Sequence, residues 1–252
     1  MFSVDIFIFS KLPDNDINLS ECLEAIVDIP EKIKVFILYE SDIFVTQKNF
    51  SFVNPISCRG LTLGAKKQLA MSYFDGDYAI FMHPRIILPK DFLDFIVSKK
   101  ILFDVFSPKV ERSDGSRYLD LMHQHTINFF GIDCLLKIPD ENCSSDSLYP
   151  GHDFSYLDGG FIGISKYSKD LGLSFDESRD WEQEEDVDLG RSAAMLNLRV
   201  GLLPLTIKSL TWRYEKRNLL FALVIRILVK LRIYFFIKLL LTCFKNVFKK
   251  YY

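Results

Sequence analysis

The sequence predicts an α/β fold with a mostly parallel sheet flanked by helices. Three observations predict it. Strand-like and helix-like segments alternate along the first third of the chain, and the connections between them are short. The composition, with 49% hydrophobic residues among 252, supplies a sizeable buried core for one or at most two domains.

The alternating segments are placed by their apolar patterns. Continuous apolar runs rich in β-formers predict strands, and apolar residues at helical spacing predict helices. In order they are a strand over residues 3–10, a helix over 19–28, a strand over 33–40, a helix over 60–74 and a strand over 78–82. Parallel α/β sheets bind ligands at the carboxyl ends of their strands. The candidates at those ends are Phe9, Ser10, Glu40, His83 and Arg85.

An acid-rich stretch late in the chain is the most informative feature. Trp181 precedes a run of acids that includes Glu185 and Asp186, and an apolar, small-residue segment follows over 189–198. Crowded acids favour the start of a helix, where the dipole is positive. A carboxylate at such a loop-to-helix junction, beside an aromatic residue, is suited to act as a general base. An ordinary acidic first helical turn has the same composition and is the alternative.

The order of these segments resembles that of a family 2 glycosyltransferase of the GT-A (Rossmann-like) fold, over about residues 3–208. Residues 64–68, Gly-Ala-Lys-Lys-Gln, resemble the family's Gly-Ala-Arg-Asn helix. Residues 78–89 resemble the strand that ends in a metal-binding acidic triplet, with the Leu-Pro helix start after it. Residues 157–163 resemble the strand that lines the acceptor site. Residues 185–189, with Arg191, resemble the Glu-Asp motif that supplies the base.

The resemblance implies an inverting glycosyltransferase that moves a sugar from a nucleotide-sugar donor to a hydroxyl of a saccharide or lipid-linked acceptor. Asp186 is the expected base, and Glu185 is expected to orient the acceptor or to hold Asp186. The donor is expected at Phe9, Ser10, Glu40, Lys67, His83, Arg85 and Lys208. The acceptor is expected at Asp158, Gly159, Gly160 and Trp181.

The segment that should hold a metal departs from the family. It reads His83-Pro84-Arg85 and offers no carboxylate to Mg²⁺ or Mn²⁺. The His that the family often has after the last core strand is also missing from residues 206–212. A guanidinium is always charged and matches phosphate oxygens. Arg85, helped by Lys67 or Lys208, is therefore expected to stabilise the leaving nucleotide without metal. A solvated loop arginine is the alternative, and a divalent metal is left open.

Two other patterns mimic metal sites. The Asp75-Gly76-Asp77 sequence spells Asp-x-Asp, but it precedes the strand over 78–82 and is predicted to be a turn at the wrong end of the sheet. His123 and His125 are two apart, which puts both on one side of a strand, but no acidic pair lies nearby in the sequence.

Residues 213–252 form a basic, apolar tail that differs from the 1–212 domain. The tail holds ten Lys or Arg against one acid, about +9; since the chain has 31 Lys or Arg and 33 Asp or Glu in all, the rest is about −11. Its charges lie mostly on one helical face, which predicts basic amphipathic helices on an anionic membrane surface. A hairpin packed on the domain, or on a second subunit in a homodimer, is the alternative. Nucleic acid is not expected, because so much apolar surface would stay exposed.

The cellular setting follows from the cysteines and the tail. Five cysteines without a Cys-x-x-Cys pair predict reduced thiols. The expected location is cytoplasmic, peripheral on the cytoplasmic face of the inner membrane, in bacterial surface polysaccharide or lipooligosaccharide synthesis. The alternative function is a catalytically degenerate protein of the same fold that binds a nucleotide sugar or glycan, or serves as a scaffold.

Overall fold

The structure, a computed structural model, describes residues 2–10, 16–26, 31–44, 46, 50–116, 120–129, 132–139, 153–180 and 184–210. For residues 125, 127–129 and 132–139 it describes the backbone alone. Trp181 and the predicted tail over 213–252 lie outside the described residues. None of the helices within these ranges is long and apolar enough to cross a bilayer.

Strand, helix, strand, helix and strand follow one another over residues 4–82, as the apolar pattern predicts, with one further, unpredicted strand over 53–57. The strands are β1 (Val4–Ser10), β2 (Ile33–Tyr39), β3 (Val53–Ser57), β4 (Tyr78–Met82), β5 (Ile86–Ile87), β6 (Val105–Glu111), β7 (Leu121–Phe129), β8 (Ile132–Pro139), β9 (Phe154–Leu157), β10 (Phe161–Ser165) and β11 (Val200–Ser209). The helices are α1 (Ile17–Glu24), α2 (Leu63–Tyr73), α3 (Lys90–Ser98), α4 (Lys166–Asp170) and α5 (Glu185–Met195).

Eight strands form the main sheet, in the order β3-β2-β1-β4-β10-β6-β11-β5. Strands β10 and β5 run against their neighbours, and the other six run in one direction. The predicted mostly parallel sheet is confirmed. Strands β8, β7 and β9 form a separate antiparallel sheet. The carboxyl ends of β1, β2 and β4 therefore meet at one edge of the main sheet.

The core lies in two layers, one on each face of the main sheet. All seven positions of β1 are buried, and five of them are apolar, as is usual for a strand covered on both faces. On one face Ile6 and Ile8 pack in a cluster with α1 and α3 residues such as Leu23 and Phe92. On the other face Phe7 packs in a cluster with α2 and α5 residues such as Met71. Helices α2 and α5 thus cover the same face of the sheet.

Side-chain caps move two helix starts from their predicted places. Asp16 accepts a hydrogen bond from the backbone N–H of Leu19, so α1 begins at Ile17, before the predicted residue 19. Thr62 accepts one from the N–H of Ala65, so α2 begins at Leu63 and not at residue 60. The Leu-Pro helix start is confirmed, since α3 begins directly after Pro89.

The Asp75–Asp77 segment is a structural turn, as predicted. It lies at the amino end of β4, and its Asp77 carboxylate accepts hydrogen bonds from the backbone N–H and the hydroxyl of Ser3, at 2.7 and 2.8 Å. The buried Asp5 carboxylate accepts two more from the N–H groups of Asp75 and Gly76, both at 2.8 Å. These acids hold the turn against β1, away from the carboxyl edge of the sheet.

Candidate active site

The loop after β4 is held at the carboxyl edge from both sides. The backbone N–H of His83 donates to the carbonyl of Gly160 at 3.1 Å, and that of Leu210 donates to the carbonyl of Arg85 at 2.7 Å. The first bond ties the loop to the turn between β9 and β10, and the second ties it to the end of β11. His83 and Arg85, predicted for the donor, are therefore placed beside Asp158, Gly159 and Gly160, predicted for the acceptor.

The start of α5 is fixed by a sharp local turn and by close packing. Glu184, the residue before the helix, has a left-handed backbone (φ 63°) and no capping side-chain hydrogen bond. Further along the helix, Gly190 lies so close to β9 that a Cβ there would be 2.4 Å from the Cβ of Tyr156 and 2.7 Å from the carbonyl oxygen of Ser155. This contact presses α5 onto β9 and puts the first turn of the helix beside the residues that follow β9.

Asp186 lies in that first turn and faces the β9–β10 turn. Its Oδ2 accepts a hydrogen bond from the backbone N–H of Gly159 at 3.2 Å. Burial, then the negative charges of Glu185 and Asp158, raise the pKa of Asp186 from 3.8 to about 6, while Lys67 opposes the rise. A carboxylate with this pKa is mostly ionised at neutral pH and is a stronger base than an exposed aspartate. The buried phenol of Tyr156 next to it has a raised pKa, from desolvation and from Asp186.

The Gly159-Gly160 turn brings charged groups close to bare backbone. A Cβ on Gly159 would lie 2.7 Å from Oε1 of Glu185 and 3.3 Å from Nζ of Lys67. A Cβ on Gly160 would lie 2.9 Å from Oδ1 of Asp158 and 3.2 Å from Nη2 of Arg85. Only glycine fits these positions without displacing those groups. The turn thus sits between the carboxylates of α5 and the Arg85 guanidinium.

Lys67 of α2 lies beneath this turn. Its side chain is 1% exposed, and its Nζ is 3.0 Å from Oε1 of Glu185 and 3.5 Å from the carbonyl oxygen of Gly159. The ammonium also lies 5.4 Å from the centre of the Phe175 ring. Glu185, predicted to hold Asp186 or the acceptor, is itself buried and paired with Lys67.

Four other predicted donor residues have different surroundings. The buried Phe9 ring stacks with Phe81 in the core, and the buried Ser10 hydroxyl donates to Asp16 at 2.8 Å. Glu40 forms an ion pair with Lys66. Lys208 is exposed on β11, paired with Ile87 of β5. Of the predicted residues, the structure brings together Asp186, Glu185, Lys67, Asp158, Gly159, Gly160, His83 and Arg85.

The sequence reasoning missed two members of this region. Lys66 pairs with Glu40 and was noted only as part of the 64–68 motif. The residue is 5% exposed and lies next to a second buried lysine, and nothing in the sequence predicts that two neighbouring lysines are buried. Tyr156 is buried on β9, two residues before Asp158. That spacing was the available signal for Tyr156.

The residues at the end of β4 do not fit a magnesium or manganese site. They offer an imidazole and a guanidinium in place of the oxygen ligands that these ions prefer. Among the residues that the structure describes, no group of three or more His, Cys, Asp or Glu is arranged to hold a metal ion. His123, instead of facing a metal, hydrogen-bonds through Nδ1 to the Ser155 hydroxyl at 2.8 Å.

Comparisons with known proteins give matches in structure alone. No family model matches the sequence, and no curated protein does. Residues 1–349 of S. aureus TarS with UDP-GlcNAc match with a TM-score of 0.56 and 15% identity, over 84% of this chain and 60% of that one. GalNAc-T7 with UDP, GalNAc and Mn²⁺ matches with a TM-score of 0.58 and 9% identity, over 84% and 44%.

A third match is the mannosyltransferase PcManGT from Pyrobaculum calidifontis in complex with GDP-Man and Mn²⁺. Its TM-score is 0.52 and its identity 9%, over 85% of this chain and 58% of that one. This chain thus spans three fifths or less of the length of these proteins. At such low identity the likeness shows the fold alone, and that fold is the predicted one. The chain has the fold of the GT-A glycosyltransferases.

Proposed function

We propose that this protein is a glycosyltransferase that moves a sugar from a nucleotide-sugar donor to a hydroxyl of a saccharide or lipid-linked acceptor. The observation that carries the proposal is the partly buried Asp186 carboxylate at the carboxyl edge of the sheet, which accepts a hydrogen bond from Gly159 and has its pKa raised to about 6. The fold supports it, because TarS and PcManGT share that fold and were solved with UDP-GlcNAc and GDP-Man. A protein that only bound nucleotide would need no base at this place.

The proposed reaction is a single displacement. The donor lies over the carboxyl ends of β1, β2 and β4, and the acceptor approaches from the Gly159-Gly160 side, next to the Asp186 carboxylate. Asp186 takes the proton of the acceptor hydroxyl while that oxygen forms a bond to the anomeric carbon. The bond from that carbon to the phosphate oxygen breaks, and the nucleotide leaves with the electron pair. Attack opposite to the leaving group inverts the anomeric centre.

The leaving nucleotide is proposed to be stabilised by Arg85 and not by a metal. The guanidinium lies beside Gly160, close to the turn where the donor and acceptor would meet. Its permanent charge and its planar donors suit a diphosphate. The donor set at the end of β4, which lacks carboxylates, supports this assignment.

The proposed setting is the synthesis of a bacterial surface polysaccharide or lipooligosaccharide. The basic, apolar residues 213–252 would hold the protein on the anionic cytoplasmic face of the inner membrane. A lipid-linked acceptor would be within reach there. The composition of the tail is the support for this part of the proposal.

The test is replacement of Asp186 by Asn, with Asp188→Asn as the matched control. Asp188 is in the same helical turn, but it pairs with Arg179 and Arg191 on the outer side of α5. Nucleotide release from a panel of UDP-, GDP- and CMP-sugars is measured, with water as acceptor. We expect Asp186→Asn to slow release by about 10²–10⁴-fold, the usual contribution of a general base. The nucleotide Kd should change less than about threefold.

The Tm of Asp186→Asn shows whether the variant is folded. Because the pKa of Asp186 is raised in the folded state, its contribution to stability is present at low pH and is lost as the pH rises through about 6. A neutral Asn should therefore not lower the Tm above pH 6. If Asp186→Asn released nucleotide at the wild-type rate, the assignment of Asp186 as the base would be wrong. Nucleotide binding by the wild-type protein without release from any donor would favour the alternative, a binding protein of this fold.

A further inference from the structure

Lys67 is the least expected charge in the candidate site. A lysine that is 1% exposed has lost its hydration, which costs several kcal/mol in a protein interior. A buried ion pair seldom returns more than this cost, and an apolar side chain of similar size often gives a more stable protein. A contribution to stability therefore does not explain why a lysine is buried here. The residues around Lys67 suggest a functional role instead.

The ammonium of Lys67 joins three elements around the base. It pairs with Glu185 at 3.0 Å on α5 and reaches the carbonyl oxygen of Gly159 at 3.5 Å in the β9–β10 turn. The N–H of the same Gly159 residue donates to Asp186 at 3.2 Å. Gly159 is thus held at both of its backbone polar groups: its carbonyl by Lys67 and its N–H by Asp186. Movement of the ammonium would release both Glu185 and the turn.

The charges that face Asp186 explain why a cation is needed here. Glu185 of the same helix and Asp158 of the turn are both acids, and the Tyr156 phenol of β9 lies beside them. Lys67 of α2 is the cation that opposes them. Without it, three carboxylates would share one partly dehydrated site, and at least one would take up a proton near neutral pH.

We propose that Lys67 is a positioning residue that keeps Asp186 ionised and holds the Gly159 turn against α5, without contacting the donor. This inference rests on the proposed function, in which ionised Asp186 is the base. It replaces the expectation from sequence that Lys67 faces the diphosphate, because a side chain buried beneath the turn has almost no surface left for a ligand.

The test is Lys67→Met, with Lys169→Met as the control. Met keeps most of the length without the charge. Lys169 of α4 is also partly buried, but its Nζ donates to the carbonyl oxygen of Phe74, outside the candidate site. At pH 6 the wild-type rate of nucleotide release should be about half of its maximum, and that of Lys67→Met about a tenth, as a pKa higher by about one unit requires. Lys169→Met should follow the wild-type profile.

A second variant covers the case in which Lys67→Met does not fold, since that change leaves Glu185 buried without its partner. Lys67→Met combined with Glu185→Gln removes both charges, one that lowers and one that raises the pKa of Asp186. The pH profile of the double variant should return towards that of the wild type. If the double variant had the same pH profile as Lys67→Met, the proposal would be contradicted.

An independent readout separates this inference from the proposed function. The pKa of Asp186 can be followed by ¹³C NMR of its carboxyl carbon, assigned with Asp186→Asn, whether or not the protein releases nucleotide. A higher pKa in Lys67→Met with unchanged nucleotide affinity would support the proposal, even in a protein without turnover. An unchanged pKa in a folded Lys67→Met protein would overturn it. Loss of nucleotide affinity without a pKa change would also overturn it and would assign Lys67 to the donor phosphate.

Discussion

Arg85 occupies the position after β4 at which the resembled family carries acids. Its Nη2 would be 3.2 Å from a Cβ on Gly160, so the charge lies at the rim of the Gly159-Gly160 turn. If this guanidinium serves the leaving nucleotide, binding of a nucleoside diphosphate should not need a divalent ion. The affinity should instead depend on the charge and on the planar shape of the side chain.

For Arg85 we predict that a nucleoside diphosphate raises the Tm equally with EDTA and with Mn²⁺. Arg85→Ala should weaken its binding at least about tenfold, as expected for the loss of a charge-assisted hydrogen bond, and Arg85→Lys should recover part of it. Arg199→Ala is the control, because Arg199 precedes β11 and pairs with Asp104. A Tm rise that needs Mn²⁺ would show that the protein uses a metal ion.

The sequence singles out candidate site residues where the signal is local. Asp186 stands out because acids crowd before an apolar segment, and Gly159 and Gly160 stand out as a pair. The burial of Lys67 could not be predicted, since its partner Glu185 is 118 positions away. A lysine at the start of a helix is indistinguishable in sequence from a solvated one.

Helix α5 depends on Gly190 for its position. We predict that Gly190→Ala lowers the free energy of unfolding by about 1–3 kcal/mol, the usual effect of overpacking, since the new methyl would meet Tyr156 at 2.4 Å. The same change should slow nucleotide release, because displacement of α5 moves Asp186 away from the turn. Chemical denaturation and the release assay measure both effects.

Ser192→Ala, on the same helix, is the control for Gly190→Ala. Ser192 is half-buried, and its replacement by Ala adds no volume. It should keep the wild-type stability within about 0.5 kcal/mol. Equal stability of the Gly190→Ala protein would mean that α5 and β9 can separate without cost.

At the level of elements, buried strands were easier to predict than edge strands. β1, β2 and β4 lie inside the sheet, so most of their residues are buried and apolar. β3 was missed because it lies at the sheet edge, contains Pro55 and exposes most of its residues. Residues 157–163, predicted as one strand, are instead the end of β9, a turn and the start of β10. The separate sheet of β9 with β7 and β8 was not predicted either.

For the whole molecule, the distribution of charge is the basis of the last prediction. The net charge of residues 213–252 is about +9, whereas that of residues 1–212 is about −11. Anionic lipid attracts a basic segment by about 1 kcal/mol per charge near the surface. In the full chain, Gln at Arg226, Lys230, Lys238, Lys245 and Lys249 should reduce co-sedimentation with phosphatidylglycerol vesicles at least about 100-fold. Raising the salt concentration should weaken wild-type binding.

The matched control changes two exposed lysines of the 1–212 domain. Lys99→Gln with Lys100→Gln, after α3, also lowers the positive charge but leaves the tail intact. This variant should bind the vesicles like the wild type. Equal binding by the tail variant would contradict a membrane role for the tail charges and would favour its packing on the domain or on a second subunit.

The ion pair between Lys67 and Glu185 has a consequence for the newly made protein. The ribosome adds about 5–20 residues per second, so Glu185 follows Lys67 by roughly 6–24 s, given the 118 positions between the pair. During that interval the chain can assemble the strands that would hold a nucleotide, while the proposed base has not yet been synthesised. On the proposed function, an unfinished chain that held a donor would therefore have no base to cleave it, and no activated sugar would be lost to incomplete molecules.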